Sequence, residues 1–452
     1  MRVPGHVREL RGPRRRLRGS RAVTGRTLTA FPQSWDGRRV DVATTPDSHL
    51  PSASTDTLRV AIRRTLERPL TSYHIVLGVA ALLLALGLLM VLSASSVSSL
   101  REYGSSYAIF LRQAMWVAIG VPLAWVTSRL PQRLIRYLSW PALVVASVLI
   151  ALTYVPGLGV LVNGNRNWIS FGGPFQFQPS ELAKLALVLW LADVYARKGR
   201  LLQEWRHLVV PMVPISLFVV ALVIGQGDLG TALVLLGIIL GMLWIVGAPV
   251  RLFGATFLVI GVGAFAIATT EQERVARLTG FLDPLAEYGD GGWQASHGFF
   301  ALATGGLWGR GIGASSQKWG GLPESHTDYI FAIIGEEFGL FGTLMVLALF
   351  AMLAYAGIRV ASRTNDPFVR YASAGIVVWL LGQAVINIGM VLGLLPVIGI
   401  PLPLISYGGS ALVPTLVALG LLMSFAQTEP GARAALRARR KRNAGTPAPA
   451  GR

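Results

Sequence analysis

Cysteine is absent from this 452-residue chain, which excludes disulfides, thiol nucleophiles and cysteine metal centres. Charge is scarce as well: 14% of residues are Asp, Glu, Lys or Arg, while 53% are apolar. A soluble globule cannot hide that much apolar surface beneath a polar shell, so the composition specifies an integral membrane protein. The histidines are few and scattered without metal-ligand spacing, which argues against a transition-metal site. Walker and dinucleotide-binding motifs are missing too. The start lacks the pattern of a secretory signal peptide, because residues 1–71 are polar and rich in Pro and Arg.

The charge that is present has one sign, a formal net of +19, and much of it lies in the tails. Arg14, Arg15, Arg16 and Arg18 stand near the start; Arg437, Arg439, Arg440, Lys441 and Arg442 stand near the end. Basic runs flanking a membrane domain mark the cytoplasmic side, where they meet anionic lipid headgroups. No nucleic-acid-binding fold accompanies them, so nucleic acid is not an expected partner. Residues 1–71 and 428–452 are read as disordered basic cytoplasmic tails around a membrane domain at 72–427.

Crossing the hydrocarbon layer as a helix takes about 20 apolar residues. Ten segments qualify: 73–95, 107–128, 137–156, 180–196, 208–225, 229–248, 251–269, 328–358, 369–393 and 410–427. Basic residues alternate with them. Arg129, Arg133 and Arg136 follow the second; Arg197, Lys198, Arg200 and Arg206 follow the fourth; Arg251 follows the sixth; and Arg359, Arg363 and Arg370 join the eighth to the ninth. The expected fold is an all-α polytopic membrane protein with ten transmembrane helices and both termini cytoplasmic. A large extracellular loop, 270–327, lies between the seventh and eighth. A second outward stretch, 394–409, carries Pro396, Pro401 and Pro403 before Ser406-Tyr-Gly408-Gly409-Ser410. It suits either a re-entrant segment lining a cavity or an ordinary connector.

Several outward motifs carry chemistry. Pro323-Glu324-Ser325-His326-Thr327-Asp328 opens the eighth span. Ser325 and Asp328 have capping-box spacing; Asp328 also sits where partial desolvation turns a carboxylate into a useful base. Glu336 and Glu337 follow about 12 Å deeper at 1.5 Å per residue, a depth at which carboxylates need partners, and anchoring by Arg or Lys is the expected role. Gln178-Pro179-Ser180-Glu181 opens the fourth span, with Lys184 three residues beyond Glu181. That spacing makes a local ion pair; alternatively, Lys184 and Arg166 offer charge to a phosphate at the outer interface. Asp228, in Gln226-Gly-Asp-Leu-Gly-Thr231, caps the sixth span or joins that site.

Together these motifs resemble the SEDS family (shape, elongation, division and sporulation). The resemblance rests on Asn387-Ile-Gly-Met-Val-Leu-Gly-Leu-Leu-Pro396-Val-Ile-Gly399 running on to Ser406-Tyr-Gly-Gly-Ser-Ala411, and on the Asp328, Glu181 and Asp228 motifs in family order. It covers residues 72–427 and implies a peptidoglycan glycosyltransferase that polymerises lipid II on the outer face of a bacterial membrane, for septal wall synthesis. The implied partners are a class B penicillin-binding protein, other division proteins and membrane lipids. The basic N-terminal tail and Gln317-Lys318-Trp-Gly-Gly-Leu-Pro323 favour the division branch over the elongation branch. By the family pattern Asp328 is the essential acid. Gly320 departs from that pattern, since division members often carry an acid there, with Glu324 nearby as a substitute; Gly227 stands where proline is usual.

The implied donor is an α-linked sugar pyrophosphate and the product link is β-1,4, so one inverting displacement with a general base suffices. Asp328 is the expected base. Arg166, Lys184, Arg310, Lys318 or a divalent cation such as Mg2+ would compensate the departing pyrophosphate. Glu324, His326, Thr327, Gln178, Ser180, Glu181, Asp228, Ser406, Gly408 and Gly409 complete the candidate substrate site. The rival readings are a lipid II flippase, which needs polar residues through the whole depth, and a scaffold that only recruits the transpeptidase.

Overall fold

A computed structural model of the chain describes residues 69–162, 165–170, 172, 176–254, 256–258, 292–432 and 434–435. The two tails for the most part, most of the segment expected to span at 251–269, and residues 270–291 of the large loop lie outside the described residues.

The helices follow the apolar runs. They are α1 (Thr71–Tyr103), α2 (Ala108–Thr127), α3 (Gln132–Leu152), α4 (Pro179–Lys198), α5 (Met212–Gly225), α6 (Leu229–Val246), α7 (Trp293–Gly305), α8 (Ile330–Arg363), α9 (Pro367–Val391) and α10 (Gly409–Ala426). A short helix, Trp205–Val209, leads into α5, and the two together are long enough to cross. Among the described residues eight helices are long and apolar enough to span a membrane: all of these except α4 and α7.

One expectation needs correcting: the chain is not purely helical. Between α3 and α4 a small antiparallel sheet forms from β1 (Gly159–Val162), β2 (Asn165–Ser170) and β3 (Gln176–Phe177). Its strands are too short, and its composition too mixed, to stand out as period-2 alternation.

Helix α4 explains itself by position. It is the least apolar of the ten sequence segments, yet it packs against α3, α9, α10, α6 and α5 at once and is buried along most of its length. A helix ringed by protein can carry charge if each charge is paired. At one end Glu181 binds Lys184 (2.7 Å). At the other, Asp193 receives Arg136 Nε (2.5 Å), Arg197 Nε (2.7 Å) and Trp140 Nε1 (3.2 Å). Arg136 near the start of α3 and Arg197 near the end of α4, which the charge pattern puts on one side of the membrane, meet at Asp193. The peripheral helices show the opposite surface: Leu111, Ile119, Leu123 and Trp125 on α2, and Leu340, Phe341, Leu344 and Met345 on α8, are exposed, as lipid contact requires.

Helix α8 is broken in the middle. Gly339 has φ +66° and ψ −160°, and the chain 306–311 runs alongside the break. There, Arg310 N and Gly311 N donate to the carbonyls of Glu336 and Glu337 (2.9 and 3.0 Å), while Leu340 N donates to Gly306 O (2.9 Å). The second segment satisfies backbone groups that the break would leave bare in hydrocarbon. A side chain at 339 would collide with the backbone of Leu307 and Gly309.

Candidate functional site

The turn before α8 carries Asp328, and neighbouring segments hold it by three consecutive carbonyls. Tyr407 N donates to His326 O (2.9 Å), Ser406 Oγ to Thr327 O (2.7 Å), and Asn387 Nδ2 to Asp328 O (2.7 Å). The expected capping box does not form: α8 has no side-chain cap, and Ser325 Oγ turns toward Ala94 O at 3.5 Å. The turn is positioned by tertiary contacts in place of a local cap.

Asn387 stands on α9, while Ser406 and Tyr407 come from the proline-rich stretch after it, which lacks regular structure between Val391 and Gly409. That stretch lines a small pocket with Pro401, Leu402, Pro403, Leu404, Ser406 and Gly408, closed by Gln383 on α9 and by Ala411, Leu412 and Thr415 on α10. This agrees with a cavity-lining segment. Gly399, at φ +73°, comes so close that a Cβ there would lie 3.4 Å from Asp328 Oδ2. Gly409 is equally constrained, because Trp116 occupies the space a side chain would need.

No hydrogen bond or ion pair engages the Asp328 carboxyl among the described residues. Burial, reinforced by the nearby Glu324 carboxylate, holds it well above the ordinary carboxylate range, at about 7. The neighbours complete an ionisable mouth. Glu324 is exposed and accepts from Thr327 Oγ1 (2.6 Å). His326 packs its ring against Tyr407 (5.5 Å between centroids) and leaves Nδ1 buried and unbonded; burial lowers its pKa, so the imidazole is neutral near pH 7.

Two cations that the motif reading passed over also reach this mouth. The Arg112 guanidinium stacks on Tyr103 (4.3 Å to the centroid) and interacts with Tyr407. Arg101 Nη2 donates to Trp319 O (3.1 Å), beside Gly320. The signal for both was an arginine on the side where the charge pattern leaves few.

The other expected site residues separate into groups. Asp228 caps α6 through Thr231 N (2.9 Å) and also receives Thr231 Oγ1 (2.8 Å), Asn167 Nδ2 (3.1 Å) and Gln178 Nε2 (2.7 Å), so its oxygens are filled. Gln178 N in turn donates to Ser410 Oγ (3.0 Å). Ser180 is buried with its hydroxyl unbonded. Lys184 makes the local ion pair with Glu181 that its spacing allowed and is enclosed, its Nζ donating to Glu181 Oε1 and to Gln383 Oε1 (3.0 Å), in place of the alternative role at the outer interface. The reason is the central position of α4, which leaves neither face open. Arg166 is exposed on β2.

Arg310 and Lys318 are drawn to the acids in the middle of α8. Glu336 accepts Ser315 Oγ (2.6 Å), Ser316 N (2.8 Å) and Ser316 Oγ (2.7 Å), with Arg310 Nη1 at 3.6 Å. Glu337 accepts Ser93 Oγ (2.6 Å) and lies 3.7 Å from Lys318 Nζ. The two carboxylates anchor the 310–318 segment, as their depth required. Among the described residues no group of three or more His, Asp or Glu side chains is arranged to hold a metal ion.

The model of the FtsW/RodA/SpoVE family of cell cycle proteins matches residues 73–430. Among curated relatives, a probable peptidoglycan glycosyltransferase FtsW of Mycobacterium tuberculosis is 41% identical over 428 residues, covering 94% of this chain and 80% of that one. Among solved structures, a chain from a peptidoglycan synthase complex that coordinates polymerization and crosslinking superposes with a TM-score of 0.64 at 30% identity, covering 78% of this chain and 96% of that one. The rod shape determining protein RodA of Thermus thermophilus gives 0.57 at 29% identity, with coverage of 78% and 96%.

Proposed function

The chain belongs to the FtsW/RodA/SpoVE family of cell cycle proteins, the SEDS family its motifs resemble, and on that footing we propose that it is the peptidoglycan glycosyltransferase of cell division, polymerising lipid II with Asp328 as general base. One observation carries the assignment of the base. In the described structure Glu181, Asp193, Asp228, Glu336 and Glu337 all have donors, whereas the Asp328 carboxyl has none and is raised to about 7. A base must keep a lone pair free and bind a proton near working pH.

In the reaction the acceptor 4-hydroxyl oxygen attacks the anomeric carbon of the donor. The bond to pyrophosphate breaks, the centre inverts, and the hydroxyl proton passes to the Asp328 carboxylate. Undecaprenyl pyrophosphate leaves with its electron pair. The tethered turn supplies positional rigidity. Compensation of the leaving charge falls to arginines that are not locked into carboxylates, with Arg112 and Arg101 at the mouth and Arg166 at the same end of the bundle. Lys184 and Lys318 are spent on Glu181 and Glu337. The site faces outward from the bacterial cell membrane at the septum, and a class B penicillin-binding protein crosslinks the product.

The test is a reconstituted assay with the purified chain, its penicillin-binding partner carrying an inactive transpeptidase, and labelled lipid II. Wild type should make glycan polymer and Asp328→Asn none. Polymer from the variant would remove Asp328 as the base. Absence of polymer from both, where a control polymerase works, would point to the flippase.

A further inference from the structure

Asn387 is fully buried on α9, and its amide nitrogen makes two short bonds, one to Asp328 O (2.7 Å) and one to Ile400 O (2.7 Å). The two carbonyls belong to segments far apart in the chain, the turn before α8 and the stretch after α9. A primary amide is the smallest neutral side-chain group that offers two divergent hydrogens from one atom. The orientation is fixed by chemistry, since the reversed amide would set its oxygen against two carbonyl oxygens.

What this clamp brings together is specific. Ile400 follows Gly399, which at φ +73° lies beside the carboxyl: a Cβ built there would meet Asp328 Oδ2 at 3.4 Å, van der Waals contact. One turn earlier on α9, Gln383 Nε2 holds Pro401 O (2.9 Å), and its own oxygen is locked by Lys184 Nζ and Trp379 Nε1 (3.1 Å). The 399–401 backbone is therefore pinned to α9 at two points, but Asn387 alone also grips the residue that carries the base.

We propose that Asn387 is a positioning residue for the reaction at Asp328, its amide setting how closely the Gly399–Ile400 backbone walls the Asp328 carboxyl. The inference rests on the assignment of Asp328 as base. The wall is one source of the desolvation around that carboxyl, so loosening it admits water on that side. The other titratable or charged groups facing the site are Glu324 and His326 on the same turn, Glu102 and Tyr103 at the end of α1, Arg112 on α2 and Tyr407. Among the described residues none of them hydrogen-bonds to Asn387, whose amide reaches only Asp328 O and Ile400 O, so a change in pH profile reports the wall.

The experiment measures polymerisation against pH for wild type and Asn387→Leu, in the reconstituted complex with the partner, alongside Asp328→Asn. Expected for Asn387→Leu is a kcat about a hundredfold lower with KM within about threefold. Its ascending pH limb should fall from about 7 toward the ordinary carboxylate range. Asn387→Ala removes the same donors without adding bulk, and gives the same readout where leucine disturbs packing. Unchanged kcat overturns the proposal. So does a lower kcat with the limb in its wild-type place, which marks a purely structural role. If Asp328→Asn still polymerises, the base assignment fails by itself; if that variant is dead while the limb stays put in the Asn387 variants, only the clamp fails.

Discussion

Helix α8 holds two acidic regions that the chain treats in opposite ways. In its middle, Glu336 and Glu337 are fully buried, and serine hydroxyls, backbone amides, Arg310 and Lys318 converge on them. In the turn just before it, Asp328 and its neighbours have their backbone carbonyls held, yet among the described residues the Asp328 carboxyl has no partner. The middle region spends its acids on architecture. The outer region fixes the main chain and keeps the acid free. An ionised carboxylate in a low-dielectric setting is expensive, so an unpaired one beside a cavity-lining segment marks a candidate for proton transfer.

The largest expected effect is at the outer end. Asp328→Asn should lower the polymerisation rate by at least about 100-fold while the purified protein elutes and binds its partner as wild type does. Substitutions in the middle should do the reverse. Lys318→Met strands a buried Glu337 and should cost about 3–5 kcal/mol, seen as a lower Tm in detergent, while the pH limb of the surviving activity stays in place. Gly339→Ala adds a side chain at positive φ, costing about 1–2 kcal/mol before the clash with the crossing segment is counted, so expression and Tm fall together. A shift of the pH limb by either middle substitution would erase the distinction between the regions.

The pH dependence sharpens the comparison further. The rate should rise with pH through about 7 as Asp328 ionises. Folding raises this pKa, so the folded state holds the proton more tightly than the unfolded chain. The associated stability is present at low pH and lost as pH climbs to about 7. The Tm advantage of Asp328→Asn over wild type should therefore grow between pH 5 and pH 8. The smallest effect belongs to a third acid. Asp228→Ala removes a helix cap and should cost about 0.5–2 kcal/mol, with a modest drop in Tm.

Much of this was legible before any coordinates. Apolar runs long enough to cross a membrane placed the helices within a few residues, because the bilayer fixes the length each must have. Glu336 and Glu337 were readable as anchored because their depth demanded partners, and a cap was one of the two readings open for Asp228. Ser325 misled: capping spacing is local, while the turn at Asp328 is shaped by residues 387, 406 and 407. Lys184 was legible only in part: its spacing to Glu181 allowed the ion pair that forms, but nothing in the spacing of one helix tells how many others surround it.

The sequence by itself determined the solvent, most of the described helices and the family, since those follow from composition, length and ordered motifs. Which cations remain available, which acids are saturated, and that α8 breaks at Gly339 to take in a second segment were decided only by the tertiary structure. The physical reason is that pairing and desolvation depend on groups far apart in the chain: Asn387 meets Asp328, and Ser93 meets Glu337, through contacts that no local pattern encodes.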